Sequence, residues 1–182
     1  MNVYFCLSDT PLDKSCQREW AIYLLDYAVL REFGVATPEV VRGEHGKPYF
    51  KDSDIFFNCS HCKYGVACVV GSEEVGVDIQ EIRLAKPAVI KRVCCVNELA
   101  LIKNDDDFIK AWVQKEAYAK FTGKGFAESF VMIDTTTFPK GLVFKQDNCY
   151  IACYTAAGAM FQRVRVSPVS FPSNPVRNPS SA

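Results

Sequence analysis

The sequence has no excess of charge of either sign, no long apolar run and only two histidines. Twenty-one basic and twenty-one acidic residues leave no net charge, so the electrostatic footprint of a nucleic-acid binder is missing and we expect no nucleic-acid partner. No run approaches the roughly 20 apolar residues that a membrane helix needs. The N-terminus lacks a basic leader and an apolar signal core. We therefore expect a soluble, cytoplasmic protein without a membrane partner.

Nine cysteines are many for this length, but the number is odd and no export signal accompanies them, so we expect reduced thiols, most of them buried. A zinc site is the alternative: Cys59 and Cys62 form a CxxC, and Cys149 and Cys153 offer two more thiols. In a strand-like run, however, Cys149 and Cys153 share a face but lie roughly 13 Å apart, too far to bind one ion.

Apolar periodicity divides the chain into two similar halves. The 49% hydrophobic content is enough for a real core, in one domain or in two small lobes. In the first half, the pattern predicts a helix over residues 15–33, with a stripe of Trp20, Leu24, Tyr27 and Leu30 and a stop at Gly34. A second short helix is expected to start at Thr37 and Pro38. Strands are predicted over residues 3–7, 55–57, 64–70 and 75–80, the last two as a hairpin.

The second half follows the same order of helices and then strands. We predict one or two helices over residues 87–103 with Asn97 as an internal cap, and a helix carrying Glu116 that is capped by Asp105, Asp106 and Asp107. Strands are predicted over residues 142–144, 150–155 and 161–166. Helices followed by antiparallel strands, twice, predict an α+β pseudo-dimer with lobes over residues 1–84 and 85–167. Residues 168–182, rich in proline and serine, are expected to form a disordered or loosely docked tail.

The segment WVQKEAYAKFTGKG, residues 112–125, places Glu116 and Lys120 one helical turn apart, so that both face the same way. Lys115 lies beside them, and Gly123 and Gly125 allow a tight turn close to a ligand. A Glu-x-x-x-Lys pair is usually a solvated helix face, so this segment alone is not specific. With a metal nearby it would suit a bound phosphate.

The segment VGVDIQ, residues 75–80, could supply ligands for such a metal. Its alternation predicts a strand with Asp78 and Gln80 on one face. A strand carboxylate and the helix carboxylate of Glu116, with a lysine nearby, form a candidate Mg²⁺ site: hard oxygen ligands bind the ion and an ammonium neutralises the remaining phosphate charge. Asp78 alone would more often be an ordinary residue at the end of a strand.

Four motifs in order carry a family resemblance: GKPYF at 46–50, FNCSH at 57–61, GVDIQ at 76–80 and WVQKEAYAKFTGKGF at 112–126. This set resembles the 4′-phosphopantetheinyl transferases of the two-lobed, surfactin-synthetase-activating type. The resemblance implies an enzyme that moves the 4′-phosphopantetheine group of coenzyme A onto a serine of an apo acyl or peptidyl carrier protein and releases adenosine 3′,5′-bisphosphate. It also implies an active site in the cleft between the lobes, and we expect a monomer.

The resemblance assigns roles to the residues at matching positions. Asp78 and Glu116 would bind Mg²⁺ together with the coenzyme A pyrophosphate, with Gln80 offering an amide oxygen or holding a metal-bound water. Lys120 would neutralise charge that develops on the pyrophosphate. Glu116 is the best candidate for the base that deprotonates the carrier serine, and a metal-bound hydroxide is its competitor. Many relatives carry glutamate where this chain has Gln80.

Other positions are expected to bind coenzyme A. His61, with Ser60, would donate to a phosphate oxygen, although a lone histidine is more often structural. Lys47 would bind the nucleotide end. The 3′-phosphate needs a further basic group, for which Arg18, Arg31 and Arg42 are candidates, although each would more often be an exposed surface residue.

Two other functions remain open at this point. One is a Mg²⁺-dependent nucleotide hydrolase, although no G-x-x-x-x-G-K-[ST] loop is present. The other is a non-catalytic module that binds coenzyme A or a carrier protein. Carrier proteins are acidic helical bundles, so we expect a basic and apolar rim near the site, with Lys120, Lys124, Phe121 and Phe126 as candidates. The two phenylalanines are equally compatible with the core.

Overall fold

The computed structural model describes residues 1–43, 46–123, 130–137, 141–156 and 161–168. The protein has an α+β fold. Its first half contains β1 (Asn2–Leu7), α1 (Lys14–Phe33), β2 (Val40–Arg42), β3 (Pro48–Phe50), β4 (Phe56–Cys62), β5 (Gly65–Gly71) and β6 (Val75–Glu81). The second half contains α2 (Pro87–Val93), α3 (Val96–Leu101), α4 (Asp105–Thr122), β7 (Gly141–Gln146), β8 (Cys149–Thr155) and β9 (Gln162–Arg165). Within the described residues, no helix has both the length and the apolar character that a membrane crossing requires.

The first sheet has the strand order β4-β5-β1-β9, and α1 covers one of its faces. Strand β5 pairs antiparallel with β1 and β4, whereas β9 runs parallel to β1. Helix α1 begins where Asp13 accepts a hydrogen bond from the Cys16 N–H, and it ends at Gly34, whose φ of 70° is left-handed. The helix buries Leu24, Leu25, Ala28 and Val29.

The second sheet is antiparallel, with the order β6-β8-β7, and α4 packs on its outer face. Asn104 caps helix α4, because its side chain accepts a hydrogen bond from the Asp107 N–H. Three aspartates in the first turn place negative charge at the positive end of the helix dipole, which stabilises the helix. It ends at Gly123, with a φ of 71°. The predicted glycine stop is therefore confirmed, whereas Gly125 lies outside the described residues.

The inner faces of the two sheets share one apolar cluster, which includes Val3, Phe5, Val77, Ile79 and Ile151. A second cluster lies between α1 and the first sheet, and a third lies between α4 and the second sheet. The layers therefore run helix, sheet, sheet, helix. Because side chains alternate along a strand, burying Val77 and Ile79 between the sheets turns the side chain of Asp78 toward α4.

Local details of the first half differ from the prediction. The apolar stripe of α1 is rotated, because Leu30 is 62% exposed while Leu25 and Val29 are buried. The short helix predicted at Thr37 and Pro38 is wrong: the chain next forms β2, which pairs with β3. Proline fixes only its own φ, and this segment has no apolar helical period to extend a turn.

In the second half, the predicted helix over residues 87–103 is two helices, but the break falls before Val96. Glu98 accepts from the Cys95 N–H and makes Cys95 the cap, so the assignment of Asn97 as an internal cap is wrong. Glutamate three residues after the cap is the pairing partner of a capping box.

Each of the two sheets contains strands from both sides of the chain boundary predicted at residue 84. Strand β6 precedes this boundary, yet it pairs with β8, so its predicted hairpin with β5 is wrong. Strand β9 follows the boundary, yet it pairs with β1. Period-two alternation locates strands but contains no information about their partners. The tail beyond residue 168 lies outside the described residues.

All nine cysteines are free and six are buried, as predicted. Cys59 packs against the cluster beneath α1, whereas Cys62 lies in the cluster between the sheets, so the two thiols point to opposite faces of β4. The CxxC therefore cannot bind one ion through both sulfurs. The Cys62 Sγ instead lies 3.9 Å from the Cys149 Sγ.

Candidate active site

The candidate site forms where β4, at the edge of the first sheet, meets β6, at the edge of the second. Two side chains of β4 join the strands. The Asn58 Oδ1 accepts from the Val77 N–H at 2.9 Å, and the Ser60 hydroxyl donates to the Asp78 Oδ1 at 2.6 Å. Both bonds are buried, so they fix the register between the two sheets and place Ser60 beside Asp78.

Gly76 lets α4 approach β6 closely. A Cβ atom at this position would lie 2.2 Å from the Ala117 carbonyl oxygen and 2.4 Å from the Phe121 nitrogen. No larger residue fits without moving the helix backbone. The glycine therefore sets the height of α4 above β6, and with it the reach of Lys120 toward Asp78.

Lys120 connects the helix to both strands. Its Nζ donates to the Asp78 Oδ1 at 2.6 Å and to the Ser60 Oγ at 2.8 Å. The Asp78 side chain is only 8% exposed and that of Lys120 is 30% exposed, so the pair is shielded from water mainly at its carboxylate. Lysine has three donors, so two bonds to described residues leave one for a further oxygen.

A cavity of about 320 Å³ opens beside this cluster. It is lined by all six residues that the sequence predicted for the metal and phosphate site: Ser60, His61, Asp78, Gln80, Glu116 and Lys120. Arg83 and Trp112 also line it, and the sequence analysis missed both. Trp112 precedes Glu116 by four residues, so the helical period could have identified it. Arg83 follows β6 in an irregular segment whose direction no local pattern predicts.

Glu116 has an unusual ionisation. Burial raises its pKa to about 7; the negative charge of Asp78 adds to the rise, and Lys120 opposes it. Near neutral pH the carboxyl group therefore exists in both forms. A group of this kind can accept a proton and later release it.

His61 favours its neutral form at neutral pH. Burial lowers its pKa below the usual value, the positive charge of Lys120 adds to the effect, and Asp78 opposes it. Neutral imidazole retains one N–H donor. His61 can therefore donate to an anion at neutral pH without carrying a charge itself.

Lys47 lines a second cavity, of about 310 Å³. Its Nζ pairs with the Glu74 Oε2 at 2.5 Å. Tyr49 and Phe56 contribute partly exposed aromatic rings, and Gly123, at the end of α4, closes one side. The end of α4 thus contributes to both cavities, through Lys120 to the first and Gly123 to the second.

The three candidate arginines are not grouped. Arg18 is near enough to His61 to lower the pKa of the imidazole by its charge. Arg31 lies thirteen residues further along α1, roughly 20 Å along the helix axis, so the two cannot contact one phosphate group. Arg42 lies on β2 and donates to the Gly46 carbonyl at 3.0 Å.

Lys115 lies outside the candidate site. It is fully buried, with its Nζ 2.6 Å from the Glu98 Oε2, and it donates to the carbonyls of Phe130 at 2.7 Å and Ile133 at 2.5 Å. The pair joins α4 to α3 and to the segment after residue 130. Sequence analysis did not identify the role of Glu98, although its capping-box position was a usable signal.

The oxygen groups in the first cavity fit a divalent cation. The negative charge of Asp78 contributes to the raised pKa of Glu116, and both carboxylates line the same cavity. A hard cation would relieve this repulsion, and Gln80 lines the same cavity with a further potential oxygen donor. Asp78, Glu116 and Gln80 are therefore suited to bind Mg²⁺.

Comparison with known proteins agrees with this geometry. The family model described as the 4′-phosphopantetheinyl transferase superfamily matches residues 74–157. This part of the chain is similar to that superfamily. The match includes Asp78, Gln80, Glu116 and Lys120. The resemblance indicated by the four sequence motifs is confirmed.

Curated relatives carry the same name. The chain is 33% identical over 90 residues to the 4′-phosphopantetheinyl transferase gsp of Aneurinibacillus migulanus, covering 46% of this chain and 38% of that protein. It is 27% identical over 143 residues to the transferase Sfp of Bacillus subtilis, with 72% and 64% covered. It is 34% identical over 119 residues to the transferase AcpT of Salmonella typhi, with 60% and 61% covered. The chain thus spans 38% to 64% of the lengths of these relatives.

Proposed function

We propose that the protein transfers the 4′-phosphopantetheine group of coenzyme A to a serine of an apo acyl or peptidyl carrier protein, with Mg²⁺, and releases adenosine 3′,5′-bisphosphate. One observation carries the proposal. Residues from three separate elements, Ser60 on β4, Asp78 on β6 and Lys120 on α4, are joined by hydrogen bonds at a cavity that Glu116 also lines. A carboxylate pair beside a lysine and a neutral histidine matches the needs of a metal-bound pyrophosphate.

Three donors would bind the pyrophosphate. Lys120 has one N–H left after its bonds to Asp78 and Ser60. The His61 imidazole lines the same cavity and offers its single N–H. The Ser60 hydroxyl can rotate from Asp78 toward a phosphate oxygen. These donors favour the negative charge that grows on the leaving phosphate.

The metal would be held by Asp78, Glu116 and the amide oxygen of Gln80. Mg²⁺ bound there would supply positive charge to the pyrophosphate. Protein groups alone would leave an excess of negative charge, because two carboxylates and a pyrophosphate would face only Lys120 and Arg83. The donor set therefore supports a metal-dependent reaction.

Glu116 would act as the base. The carrier serine hydroxyl must lose its proton as its oxygen attacks the β-phosphorus, while the bond from that phosphorus to the bridging oxygen breaks. The Glu116 carboxylate lines the same cavity as Lys120 and can accept this proton. Lys120, at the same cavity, would neutralise the oxygen of the departing bisphosphate.

The nucleotide end would occupy the second cavity. The rings of Tyr49 and Phe56 offer an apolar surface for a base, and Lys47 offers a donor. In the structure this lysine is paired with Glu74, so nucleotide binding must compete with that ion pair. Arg18, near His61, is the best placed of the three arginines for a phosphate at the first cavity. Arg31, predicted for the same role, would need a separate phosphate.

We also propose the two-lobed pseudo-dimer and a monomeric state. The support is that each sheet carries one long helix on its outer face and that the candidate site lies where the two sheet edges meet. Phe121 and Lys120 lie at the end of α4 and remain candidates for carrier contact. Lys124 and Phe126, proposed with them, lie outside the described residues.

An assay with coenzyme A, Mg²⁺ and an apo acyl carrier protein tests the function, read by the mass of the carrier. We expect the carrier to gain one phosphopantetheine group with the wild-type protein and not with Glu116→Gln. Gln114→Ala is the matched control, since Gln114 lies on α4 away from the first cavity. Binding of coenzyme A without any mass gain would favour the binding module. Phosphate release without a carrier would favour the hydrolase.

A further inference from the structure

The side chain of Gln80 is oriented by its neighbour. The Gln80 Nε2 donates to the Glu81 Oε2 at 2.9 Å. The same Glu81 oxygen accepts from the Lys63 N–H at 3.3 Å, which ties it to the turn between β4 and β5. Glu81 is therefore anchored from the first sheet while it holds a residue of the second.

An amide has a donor end and an acceptor end. Because the Nε2 of Gln80 is directed to Glu81, its Oε1 is directed away, and Gln80 lines the cavity that also contains Asp78 and Glu116. Within the described part of the chain, Nε2 is the only end of this amide in a hydrogen bond. The oxygen is left available for a ligand in the cavity.

Orientation matters more for an amide than for a carboxylate. A glutamate at this position would present oxygen in either rotation, whereas a flipped glutamine would present N–H groups to a cation and repel it. A glutamine also brings no charge. The Glu81 carboxylate fixes the orientation of the amide, because it accepts a hydrogen bond from the amide nitrogen. It also places a negative charge directly beside the amide.

We propose that Glu81 is a positioning residue for the metal site, which fixes the Gln80 amide with its oxygen toward the cation and supplies charge that Gln80 lacks. The proposal rests on the proposed function, since it assumes the cation site of Asp78 and Glu116. It assigns Glu81 no contact with substrate or metal. Residues that orient metal ligands in this way commonly change metal affinity when they are removed.

A double-mutant cycle separates this role from a general structural one. In the Gln80 background, Glu81→Ala should weaken binding of Mn²⁺, a spectroscopic probe for Mg²⁺, by about 10-fold, at the low end for residues that orient ligands. In the Gln80→Glu background no amide needs orienting, so Glu81→Ala removes only a nearby negative charge. There Glu81→Ala should weaken Mn²⁺ binding clearly less than it does in the Gln80 background.

The measurement is Mn²⁺ titration followed by electron paramagnetic resonance, for the wild type, the two single variants and the double variant. Glu39→Ala is the control for loss of one negative charge, because Glu39 pairs with Lys51 at an exposed position. Glu81→Gln keeps an oxygen that can accept from Gln80 but removes the charge, so an intermediate loss of affinity is expected. Thermal unfolding of each protein checks that it is folded.

Equal losses from Glu81→Ala in both backgrounds, or no loss in the Gln80 background, would overturn the proposed role of Glu81. Carrier modification is measured on the same wild-type preparation. If the carrier is modified normally but Glu81→Ala has the same effect in both backgrounds, only the role of Glu81 is overturned. Absence of modification with the expected cycle overturns the proposed transferase function and leaves the metal-positioning role supported.

Discussion

The Lys120 Nζ lies 2.6 Å from the Asp78 Oδ1, so an ion pair holds the helix that carries the proposed base to the strand that carries a proposed metal ligand. The pair balances the charge of Asp78. Burial is the main reason why the pKa of Glu116 is raised, and Asp78 adds to the rise although Lys120 opposes it. The same lysine thus serves the resting protein and the proposed transition state.

Replacing Lys120 by alanine should lower kcat and kcat/KM together, by about 100-fold or more, because its charge is needed most as the pyrophosphate bond breaks. Coenzyme A affinity, measured by calorimetry, should change much less. Lys110→Ala, on the exposed surface of α4, is the control. An effect confined to KM would instead assign Lys120 to binding of the ground state.

The pKa of Glu116 predicts a pH-dependent stability in the presence of a chelator. The folded pKa of about 7 lies above the ordinary glutamate pKa of 4.5. The carboxyl group therefore contributes stability that is fully present below about pH 4.5 and is lost as the pH rises through 7. Glu116→Gln lacks this loss, so its advantage in unfolding free energy over the wild type should grow by roughly 1–2 kcal/mol between pH 5 and 8, after allowance for solvent screening.

Chemical denaturation at pH 5, 6, 7 and 8 measures this difference. The control is Gln114→Ala, whose stability relative to the wild type should stay constant over the same range. A constant difference for Glu116→Gln would show that the carboxyl group ionises normally in the folded protein.

Mg²⁺ and coenzyme A should bind interdependently, because Gln80 contributes no charge to the metal site. We expect weak Mg²⁺ binding to the free protein and strong mutual enhancement with coenzyme A. Gln80→Glu should bind Mg²⁺ more tightly alone and gain less from coenzyme A. Calorimetric titrations with and without the cofactor measure both quantities. Equal Mg²⁺ affinities of the two proteins without coenzyme A would show that Gln80 does not face the metal.

The buried pair of Lys115 and Glu98 should matter for stability and little for metal binding. Lys115→Met leaves the Glu98 carboxylate buried without its cation, which costs about 3–5 kcal/mol in unfolding free energy. The double variant Lys115→Met/Glu98→Gln should recover part of this loss, because no buried charge then remains. Chemical denaturation measures both. A cost below about 1 kcal/mol for the single variant would show that Glu98 is solvated or protonated.

The parts of the site that the sequence predicted depend on local geometry. Period two places Asp78 and Gln80 on one face of β6, and one helical turn separates Glu116 from Lys120. Each half follows from a few neighbouring residues. Their convergence at one site was a hypothesis that the family resemblance supported, because no local rule predicts how a strand and a helix some 40 residues apart will meet.

The features that the sequence did not predict depend on contacts between distant segments of the chain. The pairing of β6 with β8 and of β9 with β1 joins segments far apart in the chain, and alternation alone is silent on partners. The direction of Arg83 depends on an irregular segment. The sequence indicates Gly76 only as part of the GVDIQ motif. In the structure, its lack of a side chain is what allows α4 to pack close to β6.

The hydrogen bond from the Val77 N–H to the Asn58 side chain can report on whether the two sheets stay in contact. This amide belongs to the outer edge of the second sheet, and a side chain of the first sheet shields it. Separation of the sheets would expose it to solvent even if each sheet kept its own ladder intact. The rate at which this one proton exchanges with deuterium therefore measures how often the two sheets part, and with them Ser60 and Asp78.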